Sequence, residues 1–318
     1  MSADPARVAA ARTSLERLVA NVERVVFGKR RQVELAVIGL LAEGHVLLED
    51  VPGTGKTTLA RALARSLDLA FRRIQFTSDL MPSDVLGVSL FDAASGEFVF
   101  KPGPVFANVV LADELNRTTA RTQSALLECM SDRRVSIDGR THELPRPFLV
   151  LATQNPLEFE GTYPLPESQL DRFLLRISMG YPAREDERRV LRTRAAGDDP
   201  DRLEPVMKRD ELLALIALVR SVRIDPAIED YVLSLLDGTR RGGKFALGLS
   251  TRAGVGMVRA AQACALLRGR DFCIPDDVKS LAVHVLGHRV VPSAVASEDA
   301  VDGSRLIAEL VETVAVPA

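Results

Sequence analysis

The sequence predicts an α/β fold, in which a parallel sheet flanked by helices is followed by an all-helical domain. Three observations carry that prediction. The apolar run that starts at His45 breaks at a glycine-rich turn, Val51-Pro52-Gly53-Thr54-Gly55, and a helix-favouring stretch follows to Leu67. Two later apolar runs, residues 108–112 and 148–152, end in acidic or polar residues, as buried parallel strands do at their carboxyl ends. Beyond Tyr181-Pro182 only helical periodicities remain.

Taken in order, Leu15, Leu18, Val19, Val22, Val25 and Val26 recur at helical spacing with charges between them and make a one-faced helix. It stops at Phe27-Gly28-Lys29, and a second helix over residues 32–42 delivers the chain to the first strand. Residues 71–76 read as another strand with a polar exit at 77–79. Hairpins are expected at 90–100, turning at Ala94-Ser95-Gly96, and at 134–144, turning at Asp138-Gly139. A short helix around Pro166 to Phe173 exposes Arg172 and leads into a last strand at 174–179. A charged helix at 184–194 and a linker at 197–201 precede four helical patterns at 210–221, 226–240, 251–267 and 275–286. These boundaries divide the chain into a core at 1–182, a connecting helix and linker at 183–205, and a helical domain at 206–318.

The glycine-rich turn sits between a buried strand and a helix, where backbone N–H groups and the positive end of the helix converge on an anion. Gly53 and Gly55 permit the close backbone approach; Lys56 is a point charge for β- and γ-phosphates, and the Thr57 hydroxyl a ligand for Mg²⁺. Val51, Pro52, Thr54 and Thr58 complete the phosphate-binding stretch. A full fingerprint has glycine where this chain has Asp50. With a nucleotide at this loop, Phe27 and Gly28 either clasp its adenine or simply turn one helix into the next; both readings stand.

The run at 108–112 ends in Asp113-Glu114. An acid there supplies the anionic oxygen that Mg²⁺ needs opposite the phosphates, and the next residue orients and deprotonates an attacking water. Asn155, at the tip of the following strand, is placed to hydrogen-bond the γ-phosphate or that water, or else starts a turn before Pro156. Arg172 is suited to neutralise a transferring phosphoryl group, with a surface pairing to Asp171 or Glu167 as the alternative.

Composition limits the classes. Of 318 residues, 47% are hydrophobic and 26% charged, enough for a substantial core, and a net charge of −2 offers no global field for nucleic acid. Cys129, Cys264 and Cys273 form no CxxC pair and sit among apolar residues, which points to reduced, buried thiols. His45, His142, His284 and His288 share no metal-ligand spacing, so no zinc site is expected. No apolar run approaches the ~20 residues of a membrane span, and the first residues read as charged helix without an export core. A cytoplasmic protein is the expectation.

In combination, Glu49-Asp50-Val51-Pro52-Gly53-Thr54-Gly55-Lys56-Thr57, Leu111 to Arg117, Ala152 to Pro156 and Leu165 to Phe173 resemble the MoxR family of AAA+ ATPases over nearly the whole chain. The resemblance implies a three-layer αβα P-loop core with two β-hairpin inserts and a helical lid. It also implies ATP and Mg²⁺ bound at subunit boundaries in a homo-oligomer, commonly a hexameric ring, with the hairpins facing the pore or a client. Carried over, Lys56 and Thr57 serve phosphate and metal, Asp113 and Glu114 form the acidic pair, Asn155 is the first sensor, and Arg172 is a finger given to a neighbour. Gly248-Leu249-Ser250-Thr251-Arg252 resembles the second sensor, with Arg252 reaching the γ-phosphate of its own subunit; Thr251 stands where the family more often has proline. Partners with a von Willebrand A-type domain and a chaperone-like role in maturing enzyme complexes, by cofactor or metal insertion, are likewise implied. A chelatase-like motor subunit, a DNA-directed motor and a nucleotide-gated scaffold with little turnover are the other classes in play.

Overall fold

The computed structural model describes residues 4–155, 161–195, 202–241, 243–293 and 302–317, so the linker expected at 197–201 and Pro156 lie outside the described residues. Helices α1 (Pro5–Glu23) and α2 (Arg30–Leu41) come first. Strand β1 (His45–Glu49) then runs into α3 (Lys56–Ser66), and β2 (Phe71–Gln75) follows. The short α4 (Pro82–Leu86) leads into an antiparallel hairpin of β3 (Gly87–Asp92) and β4 (Glu97–Pro102). Next come β5 (Val109–Asp113), α5 (Ala120–Asp132) and a second hairpin, β6 (Arg134–Ile137) with β7 (Arg140–Glu143). Strand β8 (Leu149–Gln154), the four-residue α6 (Glu167–Leu170) and β9 (Phe173–Ile177) complete the sheet.

The sheet has five strands in the order β2-β5-β8-β1-β9, all parallel. Burial on both faces explains why β1, β5 and β8 read as continuous apolar runs. Alternate residues serve different layers. Val46 and Leu48 enter the core with Leu111 and Leu151, while Leu47 faces the opposite cluster with Val110, Ala112 and Val150. That second cluster is closed by α5 through Leu126 and Leu127, a helix whose apolar stripe is interrupted in the sequence by Thr122 and Gln123, both buried on the inward side.

After β9 come α7 (Arg184–Ala195), α8 (Arg209–Val219), α9 (Pro226–Arg241), β10 (Phe245–Leu247), α10 (Thr251–Leu267), α11 (Pro275–Leu286), β11 (Val291–Pro292) and α12 (Gly303–Thr313). The helical domain therefore holds a small antiparallel ribbon, β10 with β11, where unbroken helix was expected. Three residues are too few to show alternation. Helix α12 was also unforeseen, although Leu306, Ile307 and Val311 are buried on one of its faces. Helix α10 packs on α1, α2 and β9, so the first helices, one face of the sheet and the helical domain share a single apolar cluster.

The helical domain also covers one open edge of the sheet. The carbonyl of Phe173 accepts from His288 Nε2 at 3.0 Å and Arg289 Nη2 at 2.6 Å, and the carbonyl of Arg176 accepts from His284 Nδ1 at 3.1 Å. Backbone groups on β9 that would otherwise recruit another strand are thereby paired. His45 does comparable work at the start of β1, since Val150 N donates to its Nδ1 and its Nε2 donates to the Met130 carbonyl, both at 3.0 Å. Those two bonds require the neutral ring with its proton on Nε2.

Burial pushes His45 down to about 4, and also lowers His284 and His288. The unfolded chain therefore binds protons that the folded chain refuses. Stability should fall as pH drops from about 6.5, at up to about 1.4 kcal/mol per pH unit for each such histidine. Carboxylates held low, such as Glu43, lose their contribution only at lower pH. Urea unfolding between pH 6.5 and 4.5 measures this; His45→Leu should flatten the slope by close to one proton.

Candidate nucleotide site

Gly53 (φ +85°) and Gly55 (φ +92°) occupy the left-handed region, and a Cβ at either would meet no atom within 4 Å. Backbone conformation, not crowding, is what demands glycine there. Gly55 caps α3 without a side-chain bond, so the first N–H groups of an 11-residue helix open onto the loop. Lys56 Nζ donates to the carbonyls of Asp50 (2.6 Å) and Val51 (2.9 Å), which closes the loop on itself. Thr57 and Thr58 lie half-buried in the first helical turn, and Thr54 Oγ1 donates to Val51 O at 3.2 Å.

Asp50 earns the position where the fingerprint has glycine. Its Oδ1 accepts from Val51 N at 2.8 Å, and its Oδ2 accepts from Gly180 N at 2.5 Å and Ser178 Oγ at 3.1 Å. The carboxylate thus pins the loop to the chain leaving β9. Burial alone would raise its pKa; the amides of Gly180 and Val51, the Ser178 hydroxyl and the charge of Lys56 together hold it below the ordinary aspartate value.

Beside the loop lies a cavity of about 430 Å³, apolar at Val25, Val26, Phe27, Pro182 and Leu191 and polar where it meets residues 53–55 and Thr58. That combination suits a planar base next to its phosphates. Phe27 lines the cavity with Arg189 stacked on its ring at 4.4 Å. Gly28 shapes the turn rather than the wall: its φ is +66°, and a Cβ there would sit 2.0 Å from Asp186 Oδ2 on α7.

Asp113 closes β5, and Glu114 follows with a left-handed backbone (φ +56°), rare for a residue with a side chain. Thr153 on β8 ties them together, donating to Asp113 Oδ1 at 2.6 Å and accepting from Glu114 N at 2.8 Å. On the other side, Arg73 of β2 donates through Nε (2.9 Å) and Nη2 (2.6 Å) to Asp113 Oδ2. Gln75 accepts from Arg73 at 2.8 Å and donates to Glu114 Oε2 at 2.7 Å, while Arg117 pairs with Glu114 at 3.2 Å. Arg73, Gln75 and Thr153 were missed from sequence, because which strands flank β5 is set by tertiary order. Asn155 is buried at the tip of β8, next to this pair in the sheet.

Two expectations change. Arg172 is half-buried, not displayed by a helix: α6 ends at Leu170, and Arg172 Nη1 donates to Leu127 O (2.6 Å) and Ser131 Oγ (2.9 Å) on α5. Arg252 does open α10, but it lies 4.0 Å from Asp171 Oδ2, and Asp171 Oδ1 accepts from the buried Arg289 at 3.1 Å. Asp171 and Arg172 precede β9, and Arg252 also acts on the ring of His45, the first residue of β1. Both arginines therefore sit at the amino edge of the sheet. The phosphate loop is at the carboxyl edge, a five-residue strand or roughly 16 Å away. Arg252 is not placed at the γ-phosphate of its own chain.

For Mg²⁺, the Thr57 hydroxyl and the Asp113 carboxylate, the latter already accepting from Thr153 and Arg73, are the candidate oxygens, and no group of three or more His, Cys, Asp or Glu side chains forms a metal cluster among the described residues. Few protein ligands is the pattern of an ion held largely by phosphate oxygens, and the donor set fits it.

Comparison with known proteins settles the family. The ATPase family associated with various cellular activities (AAA) matches residues 45–175, and the AAA lid domain matches residues 238–310. The uncharacterized protein YeaC of Bacillus subtilis is 47% identical over 95% of both chains. Chaperone MoxR1 of Mycobacterium tuberculosis is 43% identical over 96% of this chain and 82% of its own, and protein MoxR of Methylorubrum extorquens 33% identical over 88% of each. The chain belongs to the MoxR family of AAA+ ATPases. A crystal structure from Cytophaga hutchinsonii matches this MoxR fold with a TM-score of 0.91 at 36% identity, covering 98% of this chain and 97% of that one. Membership brings nucleotide binding, and ATP hydrolysis as the general activity of the family.

The loop anchor is open to test. Asp50→Gly restores the fingerprint but frees the loop from Gly180 and Ser178, and losing charge-assisted bonds should weaken binding of a fluorescent ATP analogue about tenfold. Tighter binding by the glycine variant would show that the anchor does not matter.

Proposed function

We propose that this MoxR protein is a Mg²⁺-dependent cytoplasmic ATPase whose subunits assemble into a ring, commonly of six, with each nucleotide at a boundary between two copies. The observation that carries this reading is the separation of charges within one chain. Lys56, Thr57, Asp113, Glu114 and Asn155 belong to the carboxyl edge of the sheet and Arg172 and Arg252 to the amino edge. On this reading one subunit alone has the phosphate ligands without Arg172 and Arg252, and a neighbour's opposite edge supplies them.

On this reading, Lys56 exchanges the carbonyls of Asp50 and Val51 for phosphate oxygens. Glu114 holds the attacking water and accepts its proton, and Asn155 orients that water or the γ-phosphate. Mg²⁺, when bound through Thr57 and Asp113, supplies neutralisation of charge on the β- and γ-phosphates. Arg172 leaves Leu127 O and Ser131 to reach across the boundary, and Arg252 comes with it from the same strip. Catalysis is then mostly positioning and electrostatic stabilisation.

Turnover is coupled to remodelling a partner complex. The relative named Chaperone MoxR1 supports a chaperone-like role, and the family resemblance points to a von Willebrand A-domain partner and to maturation by cofactor or metal insertion. No helix among the described residues is long and apolar enough to cross a membrane.

Mixing two inactive variants tests the shared site. Glu114→Gln keeps the finger but loses the base, and Arg172→Ala does the reverse; each should lower turnover by about 10³-fold or more. A mixture contains boundaries with an intact Glu114 on one side and an intact Arg172 on the other, so phosphate release should exceed that of either variant alone. A mixture no more active than its components contradicts the boundary reading.

A further inference from the structure

The acidic pair carries a feature that its assigned role leaves unexplained. Both oxygens of Asp113 are already engaged: Oδ1 accepts the Thr153 hydroxyl, and Oδ2 accepts two N–H groups from one guanidinium, that of Arg73. Asp113 is nearly enclosed, its side chain 12% exposed, whereas the Arg73 side chain is 51% exposed. Strand β2 is the edge strand on that side of the sheet. The carboxylate is therefore fixed and its counter-charge has room to move. A third bond, to Gln75 Oε1, helps to orient the guanidinium toward the carboxylate.

From this geometry we infer that Arg73 is an internal counter-ion for Asp113, which competes with the divalent cation for the same carboxylate and so sets the Mg²⁺ concentration at which the nucleotide site is completed. The inference rests on the reading above in which Asp113 faces the metal. A cation approaching Oδ2, directly or through a water, meets a positive charge 2.6 Å from that oxygen. Like charges at one carboxylate repel, and the arginine must turn outward before the ion is accommodated. Without metal the same arginine keeps a nearly buried carboxylate from standing unpaired. The fork also explains why arginine suits the position better than lysine: two N–H groups fix the carboxylate oxygen while a further one reaches Gln75.

The test is a Mg²⁺ titration of fluorescent ATP-analogue binding, which needs no turnover. Arg73→Gln should reduce the half-saturating Mg²⁺ concentration on the order of tenfold, while affinity for the analogue in EDTA changes little. Arg72→Gln serves as control, because Arg72 is a neighbouring exposed charge whose guanidinium bonds its own strand at Phe71 O and does not face Asp113. Thermal melting confirms that both half-exposed substitutions leave the fold intact. An unchanged or greater Mg²⁺ requirement in Arg73→Gln overturns the inference, as does an equal shift in Arg72→Gln, which would mark a diffuse field. Were the unsubstituted protein to bind the analogue without regard to Mg²⁺, the metal role of Asp113 would fall as well; Mg²⁺-dependent binding that Arg73→Gln leaves unaltered sinks the counter-ion alone.

Discussion

Every strand of the sheet runs the same way, so each loop from strand to helix falls at one edge and each return into a strand at the other. That constraint sorts the chemistry of the whole molecule. The residues that follow β1, β5 and β8 collect around the phosphate loop, and the residues that precede β9 collect at the far edge with the start of α10. No side chain is long enough to bridge a five-residue strand. Within one chain, the phosphate loop with its acidic pair and the strip holding Arg172 and Arg252 therefore stay a strand's length apart.

A second regularity is that cations at both edges rest on internal acceptors. Lys56 lies on two carbonyls of its own loop, Arg73 on Asp113, Arg172 on a carbonyl of α5, and Arg252 and Arg289 on Asp171. Arg289 is the most enclosed of these: it is 6% exposed and donates to Phe173 O as well as to Asp171. The others are more exposed. Pairing each charge inside the chain lowers the cost of holding unsatisfied cations near a site made for anions, and it makes binding an exchange of partners rather than a simple addition.

Much of this was legible in the sequence because the signals are local. The loop from Val51 to Thr58 needs only a strand before it and a helix after it, and the Asp113-Glu114 pair needs only the end of an apolar run; the two hairpins announced themselves by their turns. The rest depends on which elements become neighbours. Arg73 and Gln75 matter because β2 pairs with β5, and Thr153 because β8 lies on the other side. Asp50 looked like a departure from a pattern until the exit of β9 came within reach of its carboxylate. Arg252 was assigned to its own phosphate because a motif records the residue and not the edge of the sheet where the lid helix begins. The β10–β11 ribbon is too brief to leave a period.

If the competent site belongs to two copies, specific activity must depend on protein concentration, which can be followed in parallel with molar mass by light scattering. ATP turnover per subunit should fall as the assembly dissociates, approaching zero for single chains that still bind nucleotide. Turnover per subunit that stays constant down to concentrations at which only single chains remain would contradict a site shared by two copies.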